Sequence, residues 1–318
     1  MADTILHIDR PFDESVVRSV VGSDVVLLGP DDPLEAADGA IVGAATWDAR
    51  RFDTAPALRV LARTGIGVDA VDLAEATRRG ILVTNTPDGP TVSTAEHAIA
   101  LLFAVAKTLP HHQQMLRDAT GTRLRTYTAT SRAVELDGLT LGLVAYGRIG
   151  RRVATMAAAV GMRVVAHDPF LTPDAVADDP TGVELVGFDE LLAESDVISL
   201  HCPLTEESRR LFRAETFARC KPGVIFVNAA RGGLVDHDDL LAALDSGQVM
   251  AAGLDVTDPE PLSPEHPLLH RLDVIVTPHV ASSTVIGRRR MLVMALEQAM
   301  LALDGPGPTH LVNPEVLH

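Results

Sequence analysis

Residues Leu141–Gly150 read LGLVAYGRIG, and no other stretch of the chain is as informative about its fold. An apolar run comes first, two glycines three residues apart follow, and the helical pattern GRRVATMAAAV begins at the second glycine. A strand, a tight turn and a helix N-terminus in this order cradle a phosphate, because backbone N–H groups and the helix dipole both favour an anion there. The full fingerprint is GxGxxG, and Ala145 stands in place of its first glycine. The stretch predicts a dinucleotide-binding turn with one departure from the fingerprint.

Length and composition bound the class of protein. The chain has 318 residues, about twice a typical domain, so we expect two domains. Hydrophobic residues make up 47% and charged residues 22%, which suits packed cores and not a disordered chain. The formal net charge is -16, and the longest basic run is Arg288–Arg290. Because so acidic a chain repels a phosphate backbone, we expect no nucleic-acid partner.

From the N-terminus and the apolar stretches we expect neither export nor a membrane span. Acidic residues stand near the N-terminus, where a signal peptide carries basic ones. Apolar stretches such as Ala98–Ala106 are shorter than the roughly 20 residues that span a bilayer. Cys202 and Cys220 have neither the spacing of a metal site nor the number of a disulfide framework. We therefore expect a soluble cytoplasmic protein with two plain thiols, no bound metal and no membrane partner.

Short β-branched runs alternate with helical patterns along the chain. This alternation is typical of βαβ units and of a mostly parallel sheet with helices on both faces. Before residue 95 the predicted strands are Thr4–Ile8, Val25–Leu28, Ala40–Gly43, Arg59–Arg63 and Ile81–Thr84, with a helix at Glu14–Val21. After Gly150 they are Arg163–His167, Val183–Val186, Val197–His201, Val224–Asn228, Met250–Val256 and Val274–Thr277. We expect two α/β domains, each with a doubly wound parallel sheet.

Long helices separate and close these two series of strands. Ser93–Glu96 reads as a capping arrangement that opens an apolar helix through Lys107. Pro110 is expected to break it, with a second helix from His111 to about Ala119. These two helices form a candidate subunit interface.

The last helical pattern, from Ser282 to about Leu303, predicts a discontinuous domain. The first series of strands lacks a closing element and the second does not, so we expect this helix to cross back to the first domain. The expected boundaries are 1–95 with 285–318 for a substrate domain and 96–284 for a dinucleotide-binding domain.

Asp168 ends the strand after the glycine turn, 18 residues past Gly150. In a dinucleotide fold, an acid about 20 residues on accepts hydrogen bonds from the adenosine ribose and rejects a 2′-phosphate. A simple loop aspartate before Pro169 is the alternative. Its place after the glycine turn favours the first interpretation and selects NAD over NADP.

Gly65–Gly67 follows a buried strand pattern in the first series. Two glycines around Ile66 let the backbone approach a ligand, and adjacent N–H groups form a nest for a carboxylate. Taken alone, an ordinary strand-to-helix turn explains the pattern equally well.

Three charged residues follow three predicted strands of the second series: Arg231, Glu260 and His279. Because ligands bind at the carboxyl ends of strands in an open parallel sheet, we expect them to converge beside the glycine turn. Each has a plainer explanation, since Arg231 can pair with Asp236, Glu260 can be a solvated loop acid and His279 can begin a helix.

Their combination predicts a redox site for alcohols. Oxidation of an alcohol carbon by nicotinamide needs a proton acceptor for the hydroxyl, and histidine suits both directions of that reaction. Glu260 against the other ring nitrogen would fix the tautomer and favour the imidazolium. The Arg231 guanidinium would bind a substrate carboxylate with two hydrogen bonds and polarise the adjacent carbonyl.

Eight motifs in register resemble the D-isomer-specific 2-hydroxyacid dehydrogenases over essentially the whole chain. They are RTGIGVDAVD, TPDGPTVSTAEHAIALL, LGLVAYGRIGRRVA, AHDP, LHCPLT, NAARGGLVD, GLDVTDPEP and TPHVASST. The resemblance implies a Rossmann NAD-binding domain inserted into a flavodoxin-like substrate domain, a homodimer built through the Rossmann domain, and a catalytic triad of Arg231, Glu260 and His279.

The resemblance also implies the remaining contacts. Substrate contacts are expected at Ile66, Gly67, Arg231 and His279. A nicotinamide carboxamide contact is expected at Asp255. The full set of expected NAD-binding residues is Tyr146, Gly147, Arg148, Ile149, Gly150, Asp168, His201, Cys202, Pro203, Ala229, Ala230, Asp255 and Ser282.

Departures from the family pattern guide the choice of substrate. Glu260 replaces the glutamine of the formate-oxidising branch, so formate is disfavoured. Ala44–Asp48 lacks the basic residues usual in the phosphoglycerate branch, although Arg50, Arg51 and Arg63 are nearby candidates for a phosphate. We expect NAD-dependent interconversion of a small D-2-hydroxy acid and its 2-oxo acid, glyoxylate- or hydroxypyruvate-like or 3-phosphoglycerate. The alternatives are an NAD-sensing corepressor-like binding protein and a phosphite-type dehydrogenase.

Overall fold

The computed structural model describes residues 4–118 and 132–318. The chain divides into two compact units, Met1–Thr91 with Ser283–His318 and Val92–Ser282. We call them the first and the second unit. The domain boundaries expected from the sequence, and the roles given to the two domains, stay predictions. Ala119, the expected end of the second long helix, lies outside the described residues.

Strands and helices alternate through both units. The strands of the described ranges are β1 (Ile5–Ile8), β2 (Val26–Leu28), β3 (Gly39–Val42), β4 (Val60–Arg63), β5 (Leu82–Thr84), β6 (Thr140–Val144), β7 (Arg163–His167), β8 (Glu184–Leu185), β9 (Val197–Leu200), β10 (Val224–Asn228), β11 (Val249–Leu254) and β12 (Val274–Val276). The α-helices there are α1 (Glu14–Val21), α2 (Ala49–Asp53), α3 (Leu73–Arg78), α4 (Thr91–Ala106), α5 (Leu109–Asp118), α6 (Arg148–Ala159), α7 (Phe188–Glu194), α8 (Ala214–Phe217), α9 (His237–Ser246) and α10 (Val285–Leu303).

The first unit is built on a five-stranded parallel sheet in the order β2-β1-β3-β4-β5. This is the flavodoxin-like order. Successive side chains of a strand point to opposite faces of the sheet. Leu6 and Ile8 of β1 therefore pack with α1 and α10 on one face. On the other face, Ala40 and Val42 of β3 belong to a second cluster around Trp47 and Phe52. Both faces of the sheet are therefore buried, as expected for a doubly wound fold.

The second unit is built on a seven-stranded parallel sheet in the order β12-β11-β10-β9-β6-β7-β8. If β6 is counted as the first strand, β6 to β11 have the strand order of the Rossmann fold, and β12 is one further strand at the edge of the sheet. The strand order reverses direction between β6 and β9, and the carboxyl ends of the strands at such a point are where ligands bind. The expected fold class, two doubly wound parallel sheets, is confirmed.

The segment after residue 283 completes the first unit. Helix α10 packs against β3, β4, β5 and α1. Beyond it, Asn313 Oδ1 accepts the Val83 N–H at 2.8 Å and Asn313 Nδ2 donates to the carbonyl of Ile81 at 3.0 Å. Residues from the first and from the last part of the described chain therefore pack together around the first sheet.

Three helix ends differ from the sequence expectation. The capping arrangement at Ser93 is wrong, because α4 begins at Thr91, directly after the proline that ends the preceding turn, and Ser93 is buried inside the helix. Pro110 does not make the break. The chain turns at Thr108, where φ is +49°, and Pro110 occupies the first turn of α5, where a missing N–H costs nothing. Helix α10 begins at Val285 rather than Ser282, with Thr284 as its N-cap.

No single helix of the described residues is long and apolar enough to cross a membrane, although α4 and Leu109–Arg117 meet that criterion together as a pair bent by 54°.

Candidate active site

The turn after β6 contains one strained alanine and two glycines with different tasks. Ala145 has φ +76°, in the left-handed region that favours glycine. Gly147 is the N-cap of α6, and no atom lies within 4 Å of the position that a Cβ would take there. A Cβ on Gly150 would lie 2.6 Å from the carbonyl oxygen of Ala145, so glycine permits the close approach of helix and strand. The first turn of α6 therefore faces open space at Gly147, as a bound pyrophosphate requires.

Asp168 follows β7 directly and lies beside this turn. Its Oδ2 accepts the backbone N–H of Tyr146 at 2.9 Å, and its Oδ1 accepts that of Phe170 at 3.0 Å. The carboxylate is thereby fixed at the strand end where a dinucleotide fold places the adenosine ribose. The turn and Asp168 together fit NAD.

The Tyr146 side chain points into the protein. Its hydroxyl donates to Asp179 Oδ2 at 2.9 Å, and the Arg151 guanidinium lies 4.6 Å from the ring centroid while donating to the same carboxylate at 3.0 Å. Burial raises the pKa of Tyr146 to about 12. Because the phenol is buried beneath the turn, the backbone atoms of Tyr146 are the ones left to contact a cofactor. The expected contact of Tyr146 with the cofactor stays a prediction.

Arg231 stands three residues past the end of β10. Its carbonyl accepts Asn228 Nδ2 at 2.8 Å, and its Nη1 donates to the carbonyl of Ala230 at 2.7 Å. A Cβ on the next residue, Gly232, would collide with the carbonyl of Thr257. This close approach holds the residue that follows Arg231 against the segment that leads from β11 to Glu260.

Glu260 lies on that segment, between two cis peptide bonds, Asp258–Pro259 and Glu260–Pro261. The Thr257 hydroxyl donates to the carbonyl of Pro259 at 2.9 Å, and the His237 Nδ1–H donates to that of Asp258 at 3.0 Å. Burial lowers the pKa of His237, so the ring that makes this contact is neutral.

His279 follows β12 and faces Glu260. Its Nδ1 lies 2.6 Å from Glu260 Oε1. Because a carboxylate only accepts, Nδ1 carries a proton and Nε2 points elsewhere with its lone pair or its own proton. The two side chains are 46% and 39% exposed, so the pair is open to a ligand. His279 has φ +52°, and its N–H donates to the carbonyl of Asp255 at 2.7 Å.

The structure places the other expected NAD contacts of the second unit along the same sheet edge. Each follows the carboxyl end of a strand or begins the helix after it. Arg148 and Ile149 open α6, His201 to Pro203 follow β9, Ala229 and Ala230 follow β10, Asp255 follows β11, and Ser282 comes shortly after β12. Their contacts with a cofactor stay predictions.

Burial keeps the polar groups after β9 in their neutral forms. The pKa of His201 falls to about 4, and its Nε2 lies 3.0 Å from the Ser199 hydroxyl. Burial raises the pKa of Cys202 to about 11 and that of Cys220 to about 12, so both thiols are protonated and unreactive at neutral pH. In residues 4–118 and 132–318, no three His, Cys, Asp or Glu side chains are grouped to hold a metal ion.

The Gly65–Gly67 turn follows β4 in the first unit. Gly65 has φ +152°, and its N–H donates to the buried hydroxyl of Thr86 at 2.8 Å. The carbonyl of Ile66 accepts Asn85 Nδ2 at 2.9 Å, and Ile66 is 38% exposed. The turn is held from one side by the segment after β5, and its contact with a substrate stays a prediction.

Sequence reasoning missed His97 and Thr277. His97 lies within the quoted motif TPDGPTVSTAEHAIALL, where it was not singled out as a site residue. In the structure its Nε2 lies 3.0 Å from the Thr277 hydroxyl and 3.4 Å from Asp255 Oδ1. A polar residue on an apolar helix was the one available signal.

Comparisons with known proteins identify the class. The profile of the family described as D-isomer specific 2-hydroxyacid dehydrogenase, NAD binding domain, matches residues 99–281. The chain is 44% identical over 291 residues to D-3-phosphoglycerate dehydrogenase of Mycobacterium tuberculosis, covering 90% of this chain and 54% of the relative. It is 40% identical over 270 residues to glyoxylate reductase of Korarchaeum cryptofilum, covering 85% and 80%. The crystal structure of a glyoxylate reductase from Paecilomyes thermophila superposes with a TM-score of 0.85 at 27% identity, covering 99% of each chain.

The chain therefore belongs to the D-isomer specific 2-hydroxyacid dehydrogenase family, and residues 99–281 match its NAD-binding domain. The expected family and cofactor are confirmed. The chain spans about half the length of the phosphoglycerate dehydrogenases that it matches. The relatives are named as enzymes of 3-phosphoglycerate and of glyoxylate, so they favour neither the corepressor-like nor the phosphite-oxidising alternative.

Proposed function

We propose that this chain is an NAD-dependent oxidoreductase that interconverts a small D-2-hydroxy acid and its 2-oxo acid. The observation that carries the proposal is the 2.6 Å contact between His279 Nδ1 and Glu260 Oε1, with Arg231 at the end of a neighbouring strand of the same sheet. The relatives named D-3-phosphoglycerate dehydrogenase and glyoxylate reductase support it.

Each of the three side chains has one task in this reaction. His279 Nε2 gives a proton to the forming hydroxyl when the 2-oxo acid is reduced and takes it back in the reverse direction. Glu260 accepts a hydrogen bond from the Nδ1–H throughout and so holds the ring in one orientation. Arg231 binds the substrate carboxylate with two charge-assisted hydrogen bonds, which fixes the carbon that reacts.

The second unit supplies the residues that would hold the cofactor. NAD(H), when bound, accepts or supplies the hydride at the substrate carbon. Gly147 and the N–H groups of Arg148 and Ile149 would face its pyrophosphate, and Asp168 its adenosine ribose. The Asp255 side chain is fully buried, so its expected contact with the carboxamide stays a prediction.

The test is a steady-state panel of 2-oxo acids and D- and L-hydroxy acids with NADH, NADPH and their oxidised forms. We expect activity with NAD(H), and His279→Ala should lower kcat/KM roughly 10²- to 10⁴-fold because the proton donor is gone. His270→Ala is the matched control, since His270 is exposed and donates to the carbonyl of Pro264 on its own loop. A wild-type enzyme that turns over no acid of the panel, or an undiminished His279→Ala variant, contradicts the proposal.

Arg63 favours 3-phosphoglycerate as a second candidate substrate beside glyoxylate-like acids. It ends β4, its Nη1 donates to the carbonyl of Thr64 at 2.8 Å, and the same atom lies 3.0 Å from where a Cβ on Gly65 would stand. The guanidinium therefore lies against the turn that is expected to bind the substrate carboxylate, and a guanidinium suits a phosphate. Of the other two candidates, Arg51 stacks on Trp47 at 5.1 Å and Arg50 is exposed.

A substitution at Arg63 separates the two substrates. If the acid carries a phosphate, Arg63→Gln should lower kcat/KM for 3-phosphoglycerate about 10- to 100-fold, the worth of a charge-assisted hydrogen bond, and change that for glyoxylate about twofold or less. Arg78→Gln is the control for loss of one exposed charge, since Arg78 is 68% exposed and pairs with Glu75 on α3. Equal losses with both acids would remove Arg63 from phosphate recognition.

We further propose a cytoplasmic homodimer that uses α4 and α5. Leu109 and Leu116 of α5 are 54% and 64% exposed, which is apolar surface that a partner would cover. Cys202 and Cys220 are unpaired, which suits a reducing compartment. Light scattering after size-exclusion chromatography should give twice the mass of one chain, and Leu116→Asp should give a single chain.

A further inference from the structure

The backbone that carries His279 needs support from outside its own loop. Its φ of +52° lies in the left-handed region, which costs a residue with a Cβ about 1–2 kcal/mol. The His279 N–H donates to two carbonyls, that of Asp255 at 2.7 Å and that of Thr277 at 3.0 Å. The direction of the imidazole therefore depends on what holds Thr277 and the residues that follow His279.

Asp255 supplies much of that support. Its side chain is fully buried, its Oδ1 accepts the N–H of Val280 at 2.9 Å, and its Oδ2 accepts that of Ala281 at 2.8 Å. Burial alone would raise the pKa of Asp255, but the hydrogen bonds from His97, Thr277, Val280 and Ala281 outweigh it and lower the pKa. An ionised carboxylate thus binds the two N–H groups that follow His279.

Thr277 and His97 hold this carboxylate from the other side. The Thr277 hydroxyl donates its proton to Asp255 Oδ1 at 2.6 Å, so its oxygen acts as an acceptor toward His97 Nε2 at 3.0 Å. His97 Nε2 also lies 3.4 Å from Asp255 Oδ1. The imidazole N–H of His97 therefore points at both members of the pair.

Helix α4 is packed so that His97 meets this pair. Leu101, one turn after His97 on the same face of α4, lies 2.9 Å by its Cβ from where a Cβ on Gly253 would stand. Gly253 is two residues before Asp255 on β11, so the missing side chain lets the helix approach the strand that carries Asp255. The packing of α4 on β11 thus brings His97 to Thr277, which lies 180 positions further along the chain.

We propose that His97 is a positioning residue for His279, acting through Thr277 and Asp255. It orders the hydroxyl and the carboxylate that hold the loop after β12, and thereby sets the direction in which His279 Nε2 points. The expected loss of turnover rests on the proposed function, whereas the expected loosening of the loop after β12 does not.

The test compares His97→Leu, which removes the N–H donor, with His97→Gln, which keeps one at nearly the same place. We expect His97→Leu to lower kcat about 10- to 100-fold while NADH affinity changes about threefold or less, because the proton donor is misdirected and the cofactor cradle is intact. His97→Gln should restore most of the turnover. His310→Leu, at a half-buried histidine of the first unit, is the control for loss of an imidazole.

A second measurement does not need turnover. Amide hydrogen exchange at Val280 and Ala281 should quicken in His97→Leu and return toward the wild-type rate in His97→Gln. Where His97→Leu does not fold, Thr277→Val breaks the same link and Thr277→Ser is its conservative partner. Wild-type protein that is inactive with every acid refutes the proposed function, whereas exchange still decides the role of His97. Unaltered exchange and unaltered kcat, or equal losses in the Leu and Gln variants, would overturn the inference.

Discussion

Ala145 is a residue whose backbone suits glycine better than alanine. Its φ of +76° costs a residue with a Cβ about 1–2 kcal/mol, and glycine loses roughly 0.5–1 kcal/mol of backbone entropy in exchange. We therefore expect Ala145→Gly to raise the free energy of unfolding by about 0.5–1 kcal/mol, measured by urea denaturation. Ala158→Gly, inside α6, is the control and should lower it by about 1 kcal/mol. A less stable Ala145→Gly variant would show that the turn tolerates alanine without strain, and unaltered NADH affinity would show that binding never needed the first glycine.

Tyr146 gives the protein a dependence on alkaline pH. Its pKa is about 12 in the folded protein, above the value of about 10 expected for an unfolded tyrosine. The neutral phenol therefore contributes stability that is fully present below about pH 10 and is lost as the pH rises toward 12. We expect a loss of about 2–3 kcal/mol across that window by urea denaturation, and a smaller loss in Tyr146→Phe. The phenolate absorbance that the wild type shows in excess of Tyr146→Phe should appear near pH 12, where the fall in stability levels off, and its appearance near pH 10 would contradict the buried position.

The residues of the site were predictable to different degrees. Arg231, Glu260 and His279 follow the ends of successive strands, so the periodic pattern alone places them at one edge of a parallel sheet. His97 and Thr277 could not be paired from the sequence, because their contact depends on how α4 packs on β11. The buried position of the Tyr146 side chain likewise follows from Asp179, a distant residue with no motif of its own.

At the scale of elements, the turn between β6 and α6 separates two roles of glycine. Gly147 faces open space and has φ -80°, which alanine also adopts, so Gly147→Ala should change the free energy of unfolding by about 0.5 kcal/mol or less while NADH affinity falls. Gly150 faces the carbonyl of Ala145, so Gly150→Ala should lower the free energy of unfolding by about 1–3 kcal/mol as α6 moves off the strand. Urea denaturation and NADH fluorescence titration measure both. The same effect in both variants would refute the assignment.

Strands were predictable to within two residues at each end, and helix starts were less so. A strand is marked by its own β-branched run, whereas a helix start depends on the chain before it. Ser93 looked like a cap because of Glu96, but the helix begins directly after Pro90 and buries Ser93. The break before α5 falls at Thr108, whose positive φ no local pattern predicts.

At the scale of the whole molecule, two α/β units follow from the alternation of strands and helices, but the strand orders do not. Order within a sheet is set by pairing between distant segments, and here the family resemblance indicated it. The return of α10 to the first unit was predictable from a missing closing element. The role of Asn313 in joining the tail to β5 was not, because an isolated asparagine carries no pattern.

Substitutions in the two cores should act on different units. Leu296 of α10 and Leu240 of α9 are both fully buried, so truncation to alanine should cost about 2–5 kcal/mol in each case. We expect Leu296→Ala to weaken hydrogen-exchange protection in β1–β5 and to leave that of β9–β11 unchanged, with the reverse for Leu240→Ala. Equal loss in all strands for either variant would show that the units unfold as one.

The division of the first unit between two segments sets an order of events at the ribosome. Residues 92–282 are contiguous and carry strands β6–β12, so we expect this unit to close as soon as β12 leaves the exit tunnel. The five strands made before it must wait for α10, which covers one face of their sheet, and for Asn313, which pairs with the backbone beside β5. Throughout the synthesis of the intervening unit, Leu6, Ile41 and Val60 thus lack their final cover. We therefore expect the nascent chain to carry an exposed apolar face until the last helix arrives, which is the kind of surface that promotes aggregation of incompletely folded chains.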